Sequence, residues 1–563
     1  MISIPIKNRA CDVLIVGGGI AGIAVAERLA REAYRQGKKI SIVLIERDPQ
    51  LAMRASSGLE GWFHTGSLYA KIETGHSFIT CLKSLEDMTN WYAQDSLFLH
   101  HDACTIDYRT GSGIRVVPGS KEKDPRDKWF ESPIQFVVKP DPYSYQWLQT
   151  TQLIHERLDQ VYFKQGWVNK FTSTCQMPRV NMAMPELSSI ENDKIPSVES
   201  QRIQSADVTM NTGLILKHLA ESASKYGVEF LVNHSALLES QSRESENHIV
   251  AFDSITNEHV GFQAGQIIYA LGDRSFSGVN EGLRFHRFES VMIVRRPAIL
   301  EENTVVLCAD RTGDINHVFH PNATDGYSIL ADSNSTMLLD GQAKSSFEVQ
   351  SVAAKAIFNK AKEQFGDDVG DYSSWNMISC IKTEVQSDSD SHRVYSYWWG
   401  PEYASWSHPI WTTRREENQF EAQESIRRMV LQMDDEFYEQ INTDSWVTKK
   451  AIHYGLLETM ASEDAASIEK FQLVQLAAHE TAKRHASSSC TSPIHVIPGK
   501  FSLFPSVAHN VYLESEMRGI FINLKSGRAT ARELPIDIIA QPLAIRVVDG
   551  IELIQHQEVE TEK

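Results

Sequence analysis

The chain has 563 residues, of which 42% are hydrophobic and 23% charged, so it is too long for one small binding module and too apolar for a disordered or fibrous protein. Asp and Glu number 73 against 55 Lys and Arg, and the resulting net charge of −18 excludes broad attraction to nucleic acid or anionic lipid, which both need a positive surface. An anionic small ligand in a locally basic pocket stays open.

No stretch reaches the ~18 apolar residues of a membrane span, and Met1–Arg9 is too short and polar for a secretory core segment. The expected location is the cytoplasm. Seven cysteines (Cys11, Cys81, Cys104, Cys175, Cys308, Cys380, Cys490) are scattered without any C-x-x-C. They signal neither a disulfide framework nor a thiolate metal site, and no metal is expected.

Taken in chain order, the first element is the apolar run Asp12-Val13-Leu14-Ile15-Val16, which leads into Gly17-Gly18-Gly19-Ile20-Ala21-Gly22 and then an Ala/Leu-rich helical stretch to about Arg35. A second apolar strand, Ile40 to Ile45, ends in Glu46 and closes a βαβ unit. The parts fit one mechanism, nucleotide binding. Gly17 allows the turn, Gly19 lets backbone approach a pyrophosphate, Gly22 lets helix and strand pack, and Glu46 can accept from a ribose hydroxyl. Between residues 101 and 204, Pro-, Ser- and Asn-rich and mixed-charge segments read as long surface excursions.

A second block runs from Ser205 to Ser275. Asn211 or Thr212 can cap a helix with helical spacing at Leu216, Leu219, Ala220, Ala223 and Tyr226, Gly227 ends it, and Val228–Val232 reads as a strand. The strand Gln266–Ala270 then runs into Leu271-Gly272-Asp273, where a glycine at the same sheet edge can bring backbone near the nucleotide again. Residues 283–400 hold short β-rich runs (Val291–Val294, Val305–Leu307, Tyr327–Ala331, Val394–Trp399) separated by polar turns, consistent with a mostly antiparallel second sheet. From Glu416 to Arg484 the pattern is helical and charged, and an apolar strand returns at Ile494–Ile497.

These residues resemble the FAD-dependent oxidoreductases of the D-amino-acid oxidase superfamily, within it the glycerol-3-phosphate dehydrogenase and L-2-hydroxyglutarate dehydrogenase branch. Four segments carry the resemblance: Asp12–Glu46, Ser56–Gly66, Ser205–Ser275 and Ile494–Ser502. The second is similar to an S-S-x(6)-H-x-G segment that runs beneath the flavin, and the last to a G-K-[LFW]-[ST] segment that closes over it. Long stretches before residue 205 and between Arg393 and Gly499 depart from the family pattern.

The resemblance implies an α/β fold, with a Rossmann-like FAD-binding domain of glutathione-reductase type, an inserted, mostly antiparallel β substrate domain and extra helical insertions. The corresponding division is 1–100, 205–282 and 491–563 for the FAD-binding domain and tail, 101–204 for surface excursions, 283–400 for the substrate domain and 401–490 for a helical insertion. FAD is the implied cofactor. Its expected contacts are Gly17, Gly19, Ile20, Ala21, Gly22, Glu46, Arg47, Ser56, Ser57, Gly58, Gly272, Gly499, Lys500, Phe501 and Ser502.

Flavin carries the redox chemistry, so the protein must supply orientation, a proton acceptor and a cation for the reduced ring. His64 matches the family's histidine near the flavin, where the resemblance implies packing on the ring, proton handling or a covalent link. Lys500 could supply the positive charge. Lys382, in Cys380-Ile381-Lys382-Thr383-Glu384, resembles the position where relatives carry an arginine that pairs with a carboxylate or phosphate, and Arg393 follows nearby. Arg295, Arg296 and His320 could also face the pocket, and Tyr395, Tyr397, Trp398 and Trp399 could wall it.

The expected reaction is removal of a hydride from a C–H next to a hydroxyl or amine of a small, anionic metabolite: a 2-hydroxy acid, a polyol phosphate or an amino acid. The acceptor, whether oxygen, a quinone or a protein carrier, is not legible. The alternatives are a flavin-dependent monooxygenase or halogenase, which needs a C-terminal G-D motif where Gly499-Lys500 stands, and a non-catalytic FAD-binding subunit. No nucleic-acid partner is expected.

Overall fold

The computed structural model describes residues 7–58, 61–63, 84, 88, 92, 106–107, 115–116, 129–138, 202–237, 247–272, 284–295, 304–309, 315–322, 326–331, 337–338, 352, 354–359, 361–362, 366–385, 410–412, 493–496, 500–517 and 519–548. The strands in chain order are β1 Lys7–Val16, β2 Lys38–Lys39, β3 Ile42–Ile45, β4 Trp62–Phe63, β5 Ile106–Asp107, β6 Arg115–Val116, β7 Phe130–Val138, β8 Arg202–Met210, β9 Glu229–Leu231, β10 His234–Ala236, β11 His248–Asp253, β12 Glu258–Tyr269, β13 Arg284–Arg295, β14 Thr304–Ala309, β15 Ile315–Asn322, β16 Tyr327–Ala331, β17 Met337–Leu338, β18 Asn376–Val385, β19 Ile410–Thr412, β20 Ile494–Val496 and β21 Lys525–Ser526. The helices are α1 Ile20–Arg35, α2 Thr212–Lys225, α3 Phe504–Met517 and α4 Leu543–Val548.

The first large sheet has a parallel centre, β9-β3-β1-β12, extended by β20 beside the end of β12 and by the antiparallel β11 and β10. Val13–Val16 and Ile42–Ile45 are buried throughout, as parallel strands covered on both faces must be. Side chains alternate between the faces. Val13 and Ile15 pack against α1, while Leu14 and Val16 join Ile249, Phe262 and Ile267 on the opposite face. Asn211 is the cap of α2, its Oδ1 accepting from Leu214 N–H at 2.9 Å, and Gly227 follows the helix at φ +94°.

The second sheet runs β17-β13-β16-β15-β14-β7-β8-β4, with β18 also paired to β13. Every pairing in it is antiparallel except β14 with β7. The antiparallel sheet expected for 283–400 is therefore present. It also recruits β7 from the stretch that reads as surface excursions, with Val305 in register with Phe136, and β8, which straddles the end of that stretch. The physical reason is that Phe136-Val137-Val138 is a short aromatic and β-branched run whose partner lies far along the chain, so local pattern cannot disclose it. The runs Val394–Trp399 and most of Glu416–Arg484 lie outside the described residues.

α1 is enclosed on every side. Residues Ile20–Ala33 are all buried, because α2 and α3 cover the face that the sheet does not. Four charged side chains are enclosed with it. Glu27 pairs with Arg31 (Oε1 to Nε, 2.7 Å) and accepts from Ser222 Oγ of α2 (3.0 Å), while Arg28 pairs with Glu32 (2.9 Å) and reaches His509 Nδ1 of α3 (3.5 Å). Burial depresses the Arg28 pKa, and Arg31 beside it adds to the effect.

A buried pair that loses one member leaves an uncompensated charge, whereas replacing both can be neutral. Arg31→Met is therefore expected to lower unfolding stability by about 3–5 kcal/mol, and Glu27→Leu combined with Arg31→Met to recover most of that. Urea midpoints at constant slope provide the check.

Candidate functional site

The glycine turn stands at the C-terminal edge of the first sheet. Gly17 has φ +113°, and a Cβ there would run into the carbonyl oxygen of Ala270, so this turn and the end of β12 abut. A Cβ on Gly22 would strike the Gly17 carbonyl, which is why α1 can sit down on the turn only with glycine at that position. Gly19 caps α1 without a side chain, and the space at its Cβ position is bounded by Ser56 Oγ at 3.1 Å. The first turn of α1 thus begins at the positive end of a helix, where Ile20 N–H is taken by Ser56 and the N–H groups of Ala21 and Gly22 follow, an arrangement that favours an anion. Gly272 follows β12 at φ +63°, with nothing within 4 Å of its Cβ position.

Glu46 ends β3 and folds toward the turn. Its Oε2 accepts from Gly18 N–H at 2.6 Å and its Oε1 from Asp48 N–H at 3.0 Å, which leaves each oxygen a further lone pair for a ribose hydroxyl. Burial raises its carboxyl pKa above the ordinary value, against the lowering by those two N–H groups. Arg47 lies 3.7 Å from Asp48, which also takes Arg54 through Nε (2.8 Å) and Nη2 (3.2 Å). Ser56 Oγ accepts from Ile20 N–H at 2.9 Å, while Ser57 Oγ donates to the Arg54 carbonyl at 3.1 Å. The two serines thus have different tasks: Ser56 reaches the helix end, and Ser57 closes the turn that ends at Gly58, whose N–H donates to Ala55 O at 3.2 Å.

From this loop the chain passes through Gly61, φ +71°, to β4, which forms the edge of the second sheet against Val208 and Thr209. β4 touches the turn Phe501–Leu503. In that turn Phe501 and Ser502 are buried, the Ser502 carbonyl accepts from Ser84 Oγ at 2.6 Å, and Lys500 is half-buried with its carbonyl accepting from Leu503 N–H. Phe501 packs edge-on to Phe504, which also meets Tyr92 and Trp129 edge-on. The segments that end before His64 and begin at Lys500 are therefore brought together. Lys382 occupies the β18 position in register with Arg287 of β13. Arg295 is exposed at the end of β13, and His320 lies on β15 in register with Ile329. His64, Arg296, Arg393, Gly499 and the Tyr395–Trp399 aromatics lie outside the described residues.

Sequence reasoning missed the enclosed charges of α1, and it missed Arg546 of α4, which reaches Ser57. Glu27/Arg31 and Arg28/Glu32 stand at i,i+4, a spacing that ordinarily marks a solvated helix face. No local signal separates a solvated face from one covered by helices more than a hundred residues away.

Residues 12–383 match the family described as FAD dependent oxidoreductase. The chain belongs to that family. The FAD-dependent oxidoreductase is similar to several solved structures at low identity. One is an FAD dependent oxidoreductase from Pseudomonas aeruginosa, at 12% identity and TM-score 0.45, covering 95% of this chain and 98% of that one. Another is glycine oxidase from Geobacillus kaustophilus, at 14% and 0.40, with 67% and 84% covered. A third is L-alpha-glycerophosphate oxidase from Mycoplasma pneumoniae with FAD bound, at 17% and 0.40, with 69% and 87% covered. No curated protein matches in sequence.

The enzyme's cofactor is FAD, and the residues fit it. The side-chain-free Gly19, the exposed backbone at Gly272 and the spare lone pairs of Glu46 suit a pyrophosphate and a ribose, as the charge and donor pattern of each requires. No helix of the described residues is long and apolar enough to cross a membrane.

Gly19→Val is expected to abolish cofactor retention, since a branched side chain would displace Ser56 and fill the pyrophosphate space; flavin absorbance of the purified variant reports it. Glu46 must be ionised to serve Gly18 N–H and a ribose hydroxyl together. FAD affinity should therefore fall as pH is lowered through its raised pKa, and Glu46→Gln should bind about tenfold more weakly with little of that pH dependence. Fluorescence titration of apoenzyme across pH tests both.

Proposed function

We propose that the enzyme removes a hydride from a C–H next to a hydroxyl or amine of a small anionic metabolite: a 2-hydroxy acid, a polyol phosphate or an amino acid. The observation that carries this reading is the path of residues 56–63. They leave the N-terminus of α1, enter the edge of the second sheet as β4 and lie against Phe501–Leu503, so His64 follows one residue beyond a junction of cofactor loop and substrate sheet.

FAD, when bound, accepts the hydride. The chain's own part is the proton and the charge. His64 takes the proton of the substrate hydroxyl or ammonium through a ring nitrogen as the C–H bond breaks. Lys382, on β18 of the second sheet, and Arg393 beyond it hold the carboxylate or phosphate and so orient the C–H. Lys500, at the start of the turn Phe501–Leu503, would supply positive charge for the reduced flavin.

The experiment is an anaerobic one. The holoenzyme is mixed without air with a panel of hydroxy acids, polyol phosphates and amino acids, and the visible flavin band is followed. Bleaching by one class supports the reading, and bleaching by none of them opposes it. With the active substrate, His64→Ala should lower turnover by about 10²–10⁴ while flavin content and thermal midpoint stay near wild type. Unchanged turnover would remove His64 from the proton path.

A further inference from the structure

The segment from Asp537 to α4 lies along residues 50–57, which flank the glycine turn. Leu51 N–H donates to Ile538 O at 2.7 Å, Ala540 N–H to Leu51 O at 3.0 Å, and Leu543 N–H to Ser57 O at 2.7 Å. Gln50 Nε2 adds a bond to Asp537 O at 2.7 Å. On its other side the same loop meets the turn itself, through Ala52 N–H to Gly18 O at 2.9 Å and through Ser56 Oγ on Ile20 N–H. The loop is held from both sides. The apolar face of α4, Ala544 and Val547, sits in the core of the second sheet with Ile293, Ile329 and Ile378.

Arg546 is the charged residue of α4 and is only 8% exposed. Its Nε donates to Gln541 O at 3.0 Å and its Nη2 to Ser57 Oγ at 3.4 Å. The Ser57 hydroxyl is then used in both senses, accepting from Arg546 and donating to Arg54 O beside the Ser57 N–H, which donates to the same carbonyl at 3.0 Å. Burying a guanidinium is costly unless it is well bonded, and here it is bonded to the turn that presents Ser56. Ser56 spends an acceptor on Ile20 N–H and keeps its own hydrogen for a phosphate oxygen.

We propose that Arg546 is a positioning residue for the cofactor. It acts through Ser57 to fix the turn 54–57, and that turn sets the Ser56 hydroxyl at the N-terminus of α1, where the pyrophosphate of FAD binds. α4 thereby ties cofactor retention to the integrity of the second sheet. The proposal concerns FAD alone and stands apart from the choice of substrate.

The test is a double-mutant cycle on the FAD dissociation constant, read by fluorescence titration of apoenzyme, with the thermal midpoint of each apoenzyme measured alongside. Arg546→Gln and Ser57→Ala should each weaken FAD binding about tenfold, and the double variant should bind no more weakly than the weaker single one, since both remove one link. Arg546→Lys, which keeps charge without the fork, should recover the affinity in part. Unchanged affinity in Arg546→Gln, or effects that multiply in the double variant, would overturn the proposal. Should Arg546→Gln fail to fold, Ser57→Ala carries the test from the other end: tenfold weakening supports the link and unchanged affinity refutes it.

Discussion

Two carbonyl oxygens that leave no room for a side chain govern the cofactor lobe. The Ala270 carbonyl occupies the Cβ position of Gly17, and the Gly17 carbonyl occupies that of Gly22. Together they pin the end of β12 to the turn after β1 and seat α1 on that turn. The N-terminus of the helix then lies at the sheet's edge, where Ser56 takes the Ile20 N–H and Glu46 from β3 takes the Gly18 N–H of the turn. The positions of Gly18, Glu46 and Ser56 all depend on that one clasp.

The same seating drives the charges of α1 inside. A helix fixed between sheet, α2 and α3 has no solvent face to offer, so Glu27, Arg28, Arg31 and Glu32 must satisfy one another and their neighbours. They also register α3. Arg28 stacks 5.1 Å above the Tyr512 ring and reaches His509, and Gln36 donates to the Tyr512 hydroxyl, whose pKa is pushed up to about 12 by burial and by Glu516. Because α3 continues directly from the turn Phe501–Leu503, this polar interface fixes where the closing segment lies. Direction comes from the ion pairs and adhesion from the surrounding apolar contacts.

What could be read in the sequence was local. The strand-turn-helix at Asp12–Arg35, the cap at Asn211 and the strand Tyr327–Ala331 are written in periodicities of two or 3.6 and in single cap or glycine residues, and the structure has all three. The membership of β7 and β8 in the second sheet was not legible, because it is a pairing across long separations. Within the site, Gly17, Gly19, Gly22, Glu46 and Ser56 converge on one edge as their types require. Ser56 bonds to Ile20 N–H while Ser57 bonds to Arg54 and Arg546, since the way each of two adjacent serines turns depends on the loop's rotation and not on its composition.

The pairing of Ile268 with Ile494 has a consequence for how the molecule comes to exist. β12 is made roughly two hundred residues before the strand that covers part of its edge. At synthesis rates of about 5–20 residues per second, that edge waits on the order of ten seconds or more on the ribosome with its amides unsatisfied. Contacts this distant in sequence make folding slow and keep a template for foreign strands exposed meanwhile. The antiparallel β11, which immediately precedes β12 in the chain and pairs with its earlier half, shields what it can in that interval.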